Sequence, residues 1–169
     1  MIISFFHRLL WALLLLAVQV LVLSHIHPWG FGAPDICPLL LVALPLGTSR
    51  SAALLWGFGL GFVTDVFVGT PGIGSAAMTL TALLQPPLLE FMAPRDSDEL
   101  LRPSFRTMGR WNHTWFMAQL FLVHHIVFFA LEGFSYYHIV DILLSMLVSY
   151  VGSMLLALIV ERVRNPKES

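Results

Sequence analysis

The sequence predicts an all-α membrane protein: one domain over residues 1–169, built as a polytopic bundle of about six transmembrane helices with both termini cytoplasmic. Composition, apolar segments and the placement of basic residues lead to this prediction. Of the 169 residues, 57% are hydrophobic and 11% are charged, whereas about a quarter of a typical soluble domain is charged. A soluble fold of this composition would expose large apolar patches. The net charge of −1 gives no basic field for nucleic acid.

Six apolar segments are candidates to cross a bilayer, which requires about 20 mainly apolar residues or fewer where the bilayer thins. They cover about 9–24, 36–47, 51–68, 73–92, 111–131 and 139–160. The first begins like a signal peptide after Arg8, but no A-x-A cleavage site follows, so we expect a retained helix. The second is short and carries helix-breaking Pro34, Pro38 and Pro45. A broken or re-entrant helix is therefore an alternative to a clean span there.

The basic residues indicate the orientation. With six crossings, every Lys and Arg falls on one side, whereas the connections at about 25–35, 69–72 and 132–138 contain none. The positive-inside rule makes the basic side cytoplasmic. Residues 94–110 then form a cytoplasmic loop, which is either a solvated loop or a partner-docking surface that includes Arg102 and Arg106.

The third segment contains two glycines and an acid at a regular spacing. Gly57, Gly61 and Asp65 are spaced by four residues, so they lie along one helix face. Gly57 and Gly61 form the small-x-x-x-small pattern of closely packed helices, and the stretch lacks the spacing of a nucleotide-binding loop. We expect Asp65 to accept hydrogen bonds from amides around Gly72–Ser75 and to lock the helix hairpin. Contact with another helix or a partner, and ion or proton transport, are the alternatives.

A substitution of this acid separates these interpretations. If Asp65 locks the hairpin, Asp65→Asn should weaken folding or partner binding mildly and Asp65→Leu strongly.

Other polar residues give weaker signals. Asp35 and Asp141 are candidate partner-facing acids on the outer side, near Glu132, His138, His25 and His27. The helix dipole also explains an acid at Asp141. His124 and His125 are expected to make interhelical hydrogen bonds, as are Gln19 and Gln119, with a proton relay as the alternative. No metal-ligand spacing and no nucleophile–base motif is present, so we predict no metal, no cofactor and no enzymatic activity.

The chain resembles the MreD family of bacterial rod-shape-determining membrane proteins over about Leu16–Val160. The proline-marked run Ala33–Gly47 and the glycine-rich run Gly57–Ala77 carry the resemblance. It implies a multi-pass, non-enzymatic protein of the bacterial inner membrane that belongs to the cell-elongation machinery. Such a subunit would bind the bitopic protein MreC and help couple a peptidoglycan synthase complex to MreB filaments.

The six-helix layout is also similar to the substrate-binding membrane subunits of vitamin transporters. A small-molecule binding or transport subunit is therefore the alternative. It would enclose an outer cavity lined by polar and aromatic groups, with His25, Trp29, Asp35 and Tyr136 as candidates. A scaffold subunit would instead present a groove of small residues to a partner helix.

Overall fold

The computed structural model describes residues 2–23, 32–94, 97, 101–133 and 139–164, with side chains from residue 9 onward. Within these ranges the chain is all-helical and contains no strand. The helices are α1 (Ile2–Leu21), α2 (Pro38–Val42), α3 (Arg50–Val68), α4 (Ile73–Met92), α5 (Arg110–Glu132) and α6 (Ile139–Arg164). Three of them, α3, α5 and α6, are long and apolar enough to cross a membrane. The described residues thus confirm an all-α chain with helices long and apolar enough to cross a membrane.

Local signals set the helix ends of the α3–α4 hairpin. The Ser49 hydroxyl accepts a hydrogen bond from the amide of Ala52 at 3.3 Å and caps α3. Gly69 ends α3 with a left-handed φ of 82°, and Gly72 precedes α4 with a φ of 86°. Because residues with side chains rarely adopt this conformation, two glycines allow the chain to reverse within a short connection.

The first and last helices, α1 and α6, are longer than the sequence predicted. Helix α1 begins at Ile2 rather than near residue 9, and α6 continues to Arg164 rather than ending near residue 160. The last turn of α6 carries Arg162 and Arg164, whose charges favour a helix C-terminus. The acid that precedes them, Glu161, is fully buried, so this part of the chain belongs to the bundle rather than to a solvated tail.

The second predicted segment is helical only in α2, which spans five residues, or about 7.5 Å at 1.5 Å per residue. Proline limits the helix, because it has no backbone N–H to donate and disfavours a helical residue before it. The amide of Ile36 donates to the Gln19 side chain at 2.9 Å, and the amide of Leu46 donates to the carbonyl of Leu101 at 3.0 Å. The segment therefore runs as a broken strip from the C-terminal part of α1 to the α4–α5 connection.

The helices pack in chain order, α3 on α4, α4 on α5 and α5 on α6. Helix α6 buries a single stripe of residues spaced by four, namely Ser149, Ser153, Ala157 and Glu161. Its other faces expose large apolar side chains such as Leu147, Val151 and Leu155. Exposed apolar faces of this kind suit a hydrocarbon environment.

Candidate functional sites

The Asp65 carboxylate lies at the N-terminus of α4, where the spacing predicted it. One oxygen, Oδ1, accepts from the Gly74 amide at 2.8 Å and the Thr70 hydroxyl at 2.9 Å. The other, Oδ2, accepts from the Gly72 amide at 3.2 Å and from the Ser75 amide and hydroxyl at 2.8 and 2.5 Å. Helix α4 has no side-chain cap of its own. Asp65 therefore caps α4 from the neighbouring helix, at the end where the dipole favours negative charge.

The glycine face of α3 packs directly against α4. A Cβ on Gly57 would lie 2.6 Å from the Cβ of Ala82, and one on Gly61 would lie 2.6 Å from the carbonyl oxygen of Gly74. Any side chain at these positions would push α4 away. By contrast, a Cβ on Gly59 would meet no described atom within 4 Å, because Gly59 lies on the opposite, exposed face. The small-residue stripe is therefore the α3–α4 interface, and it is not an open groove for another protein.

A second polar site, which we call the Asp35 network, joins Gln19, Asp35, His124, His125 and Ser153. Asp35 Oδ2 lies 2.9 Å from Nε2 of His124, and the Asp35 amide donates to the Ser153 hydroxyl at 2.7 Å. Gln19 bonds the backbone on both sides of Asp35, at Pro34 and Ile36. The network thus fixes the extended strip before α2 against α1, α5 and α6.

The His125–Ser153 contact has a defined direction. Nδ1 of His125 lies 2.7 Å from the carbonyl oxygen of Phe121, which can only accept, so Nδ1 carries the proton. Nε2 is then an acceptor for the Ser153 hydroxyl at 3.1 Å. A serine–imidazole pair can act as nucleophile and base. However, Ser153 is 0% exposed and His125 is 2% exposed, and a nucleophile must reach its substrate. The geometry therefore favours a packing role.

A third buried site joins the start of α5 to the end of α6. Nε2 of His113 lies 3.3 Å from Oε1 of Glu161, and Arg164 lies 3.6 Å from Oε2 of the same acid. The ring of Phe105 meets His113 edge-on at 5.1 Å between centroids. Together with the Leu46–Leu101 hydrogen bond, these contacts gather the start of α3, the α4–α5 connection, the start of α5 and the end of α6. We call this the arginine end of the bundle, because it carries Arg50, Arg102, Arg106, Arg110, Arg162 and Arg164.

A cavity of about 420 Å³ opens at the arginine end between α1, α2, α3 and α6. Arg102 and Arg164 line it, and the remaining wall is formed by apolar and tryptophan side chains, including Trp11, Leu15 and Trp56. Its surface thus combines an apolar interior with two guanidinium groups.

The predicted partner-facing residues fall into two groups. Asp141, Arg102 and Arg106 are exposed, whereas Asp35 points into the network, with 18% of its side chain exposed. The candidate outer-cavity residues His25, Trp29 and Tyr136, and the nearby His27 and His138, lie outside the described residues. Within the described ranges, no three His, Cys, Asp or Glu side chains are close enough to hold a metal ion.

Two contacts were not identified from the sequence. The paired histidines of α5 predicted interhelical hydrogen bonds, but nothing in the sequence linked His124 to Asp35, 89 residues away. The His113–Glu161 pair had a weaker signal still, a lone histidine near one helix start and an acid near one helix end.

Comparison with known proteins adds no relative. No family model matches the chain, and no curated protein and no solved structure matches it either.

Proposed function

We propose that the chain is a non-enzymatic membrane subunit of the bacterial cell-elongation machinery, as its resemblance to the MreD family implies. In this role it binds an MreC-like bitopic protein in the inner membrane. Through that protein it helps couple the peptidoglycan synthase complex to MreB filaments.

The observation that carries the proposal is the α3–α4 hairpin. The resemblance depends on Pro34 and Pro38 and on a second group of positions in the α3–α4 hairpin. This second group, Gly57, Gly61, Asp65 and Gly72, makes the hairpin close-packed and capped. A rigid hairpin is what a scaffold subunit needs, since it holds exposed helix faces in a fixed relation. By contrast, the buried histidines and carboxylates are hydrogen-bonded or paired within the bundle.

The proposed topology has six crossings and cytoplasmic termini. Helices α1, α3, α4, α5 and α6 supply five, and the broken strip around α2 supplies the remaining one. Its contacts with Gln19 at one end and Leu101 at the other support a passage from the outer part of the bundle to the arginine end. Backbone that is not helical is tolerated at membrane depth where protein surrounds it, and Ile36, Cys37 and Leu41 are buried. The positive-inside rule places the arginine end in the cytoplasm.

The partner surface must lie outside the α3–α4 interface. Exposed apolar faces remain on α3, which presents Phe58 and Phe62, and on α6, which presents Leu147 and Val151. Close packing of a single transmembrane helix on either face would add van der Waals contacts, which drive association in lipid.

Co-purification from detergent-solubilised membranes with MreC tests the proposal, combined with site-specific photocrosslinking. Crosslinkers would replace Phe62 on α3 and Leu147 on α6, with the buried Met78 as the matched control. We expect MreC to co-purify and to crosslink from at least one exposed position, and not from Met78. Failure to co-purify, together with crosslinking no stronger than that from Met78, would contradict the proposal.

The small-molecule alternative is tested in the same preparation by a vitamin-binding screen. The 420 Å³ cavity lies at the arginine end, whereas that alternative places its ligand at the outer side. Saturable vitamin binding without MreC association would favour a transport subunit over the scaffold.

A further inference from the structure

The cavity at the arginine end combines two guanidinium groups with an apolar wall, and neither the α3–α4 packing nor the proposed partner surface explains this combination. It has a volume of about 420 Å³, within the range of about 300–1,000 Å³ typical of ligand sites. Its wall draws on four helices, through residues such as Trp11 of α1, Leu40 of α2, Trp56 of α3 and Val160 of α6. These side chains are half-buried, so the cavity reaches the surface of the bundle.

Two arginines line the cavity, and only one of them pairs with a described acid. Arg102 is exposed and makes no side-chain hydrogen bond or ion pair with any described residue. Among the described residues, Arg164 has an ion-pair contact with the buried Glu161 at 3.6 Å. Glu161 is also within 3.3 Å of His113. Among the described residues, the cavity therefore presents more cationic hydrogen-bond donors than Glu161 accepts, which favours an anionic group at its rim.

The apolar wall sets a second requirement for the ligand, which is an apolar part that can cover this wall. Apolar surface costs about 25 cal/mol per Å² when left in water, so a hydrocarbon chain is a better occupant than solvent or a polar metabolite. The polar lining groups lie in the two arginines and the tryptophan indoles. A ligand that fits both features has an anionic head and an apolar tail.

We propose that this cavity binds one anionic phospholipid of the cytoplasmic leaflet, with an acyl chain against the tryptophan-lined wall and the phosphate on Arg102 and Arg164. Basic pockets between transmembrane helices on the cytoplasmic side are known to bind anionic headgroups, and guanidinium groups bind phosphate through paired N–H donors. The site rests on the proposed orientation, which places the arginine end in the cytoplasm. It does not depend on MreC binding, and each can fail without the other.

Native mass spectrometry of the delipidated full-length protein measures the site directly. The probes are phosphatidylglycerol, phosphatidylcholine with the same acyl chains, and glycerol phosphate, which has the headgroup but no chain. We expect phosphatidylglycerol to bind at least tenfold more tightly than either of the others. Equal binding of the two lipids would overturn the charge requirement. Glycerol phosphate binding as tightly as phosphatidylglycerol would overturn the chain-binding part, and with it the lipid assignment.

Variants locate the site. Arg102→Gln should weaken phosphatidylglycerol binding about tenfold and leave phosphatidylcholine binding unchanged. Arg110→Gln is the matched control, because Arg110 is an exposed arginine at the same end that does not line the cavity. Ala43→Phe, which projects a larger side chain from the cavity wall, should weaken binding of both lipids.

Arg164→Gln is a second test of the headgroup, but it also removes a partner of Glu161. Arg102→Gln carries no such complication, so it decides the question if Arg164→Gln fails to fold. Equal phosphatidylglycerol affinity in Arg102→Gln and Arg110→Gln would refute the site. Unchanged MreC co-purification in Arg102→Gln would show that a lipid-binding defect is separate from the proposed scaffold function.

Discussion

Replacement of Asp65 tests the hairpin most sharply, because both carboxylate oxygens accept from backbone amides that cannot reverse their direction. Gly74 donates to Oδ1, and Gly72 and Ser75 donate to Oδ2. Asp65→Leu leaves these three amides without an acceptor. The Gly74 and Ser75 donors are buried, and at about 1–2 kcal/mol for each their loss costs about 2–4 kcal/mol of folding free energy. The amide of the exposed Gly72 can bond to water instead.

The same geometry corrects the expectation that Asp65→Asn is mild. An asparagine has one acceptor oxygen, so its NH₂ group must face at least one backbone N–H whichever way the amide is turned. The best orientation keeps the two amides at Oδ2 and leaves the Gly74 amide without an acceptor. With the lost charge at the N-terminus of α4, we expect a cost of about 2–3 kcal/mol.

Unfolding in mixed detergent micelles, followed by circular dichroism, measures these costs. Asp141→Asn is the matched control, since Asp141 is an exposed acid in the first turn of α6. It should cost under about 1 kcal/mol. If both Asp65 variants were as stable as Asp141→Asn, the capping role of Asp65 would be refuted.

Two further predictions concern packing and the Asp35 network. Gly61→Ala should lower stability by about 1–3 kcal/mol, because its Cβ would lie 2.6 Å from the backbone of α4. The control Gly59→Ala, at an exposed position, should be neutral or stabilising by about 0.5 kcal/mol. Equal unfolding midpoints for the two variants would contradict the close approach of α3 and α4. A double-mutant cycle of Asp35→Ala and His124→Ala should give a coupling of about 1–2 kcal/mol, and additive effects would show that their 2.9 Å contact does not stabilise the bundle.

The α3–α4 hairpin could be predicted from sequence because its signals are local. Fourfold spacing puts Gly57, Gly61 and Asp65 on one helix face whatever surrounds the helix. The hairpin turn then brings the start of α4 within reach of the acid. Only the number of amides that Asp65 accepts, which decides how asparagine behaves there, required coordinates.

The Asp35 network could not be predicted in the same way. Asp35 precedes α2 in an extended strip, and its partners lie on α5 and α6, far along the chain. Pairings of this kind depend on how the helices pack, which no helical periodicity encodes. The prolines did indicate a broken helix as one of the two alternatives for this segment, because the loss of a backbone donor is a local property.

Site-directed thiol labelling with a membrane-impermeant reagent measures the placement of the arginine end, on which both proposals depend. Single cysteines at Thr107 and at Pro71 report the two ends of the bundle in a Cys37→Ala background. Both positions are exposed. The proposed topology predicts that Pro71→Cys reacts in intact cells and that Thr107→Cys reacts only after the inner membrane is permeabilised. Reaction of Thr107→Cys in intact cells, or of both positions from the same side, would contradict it.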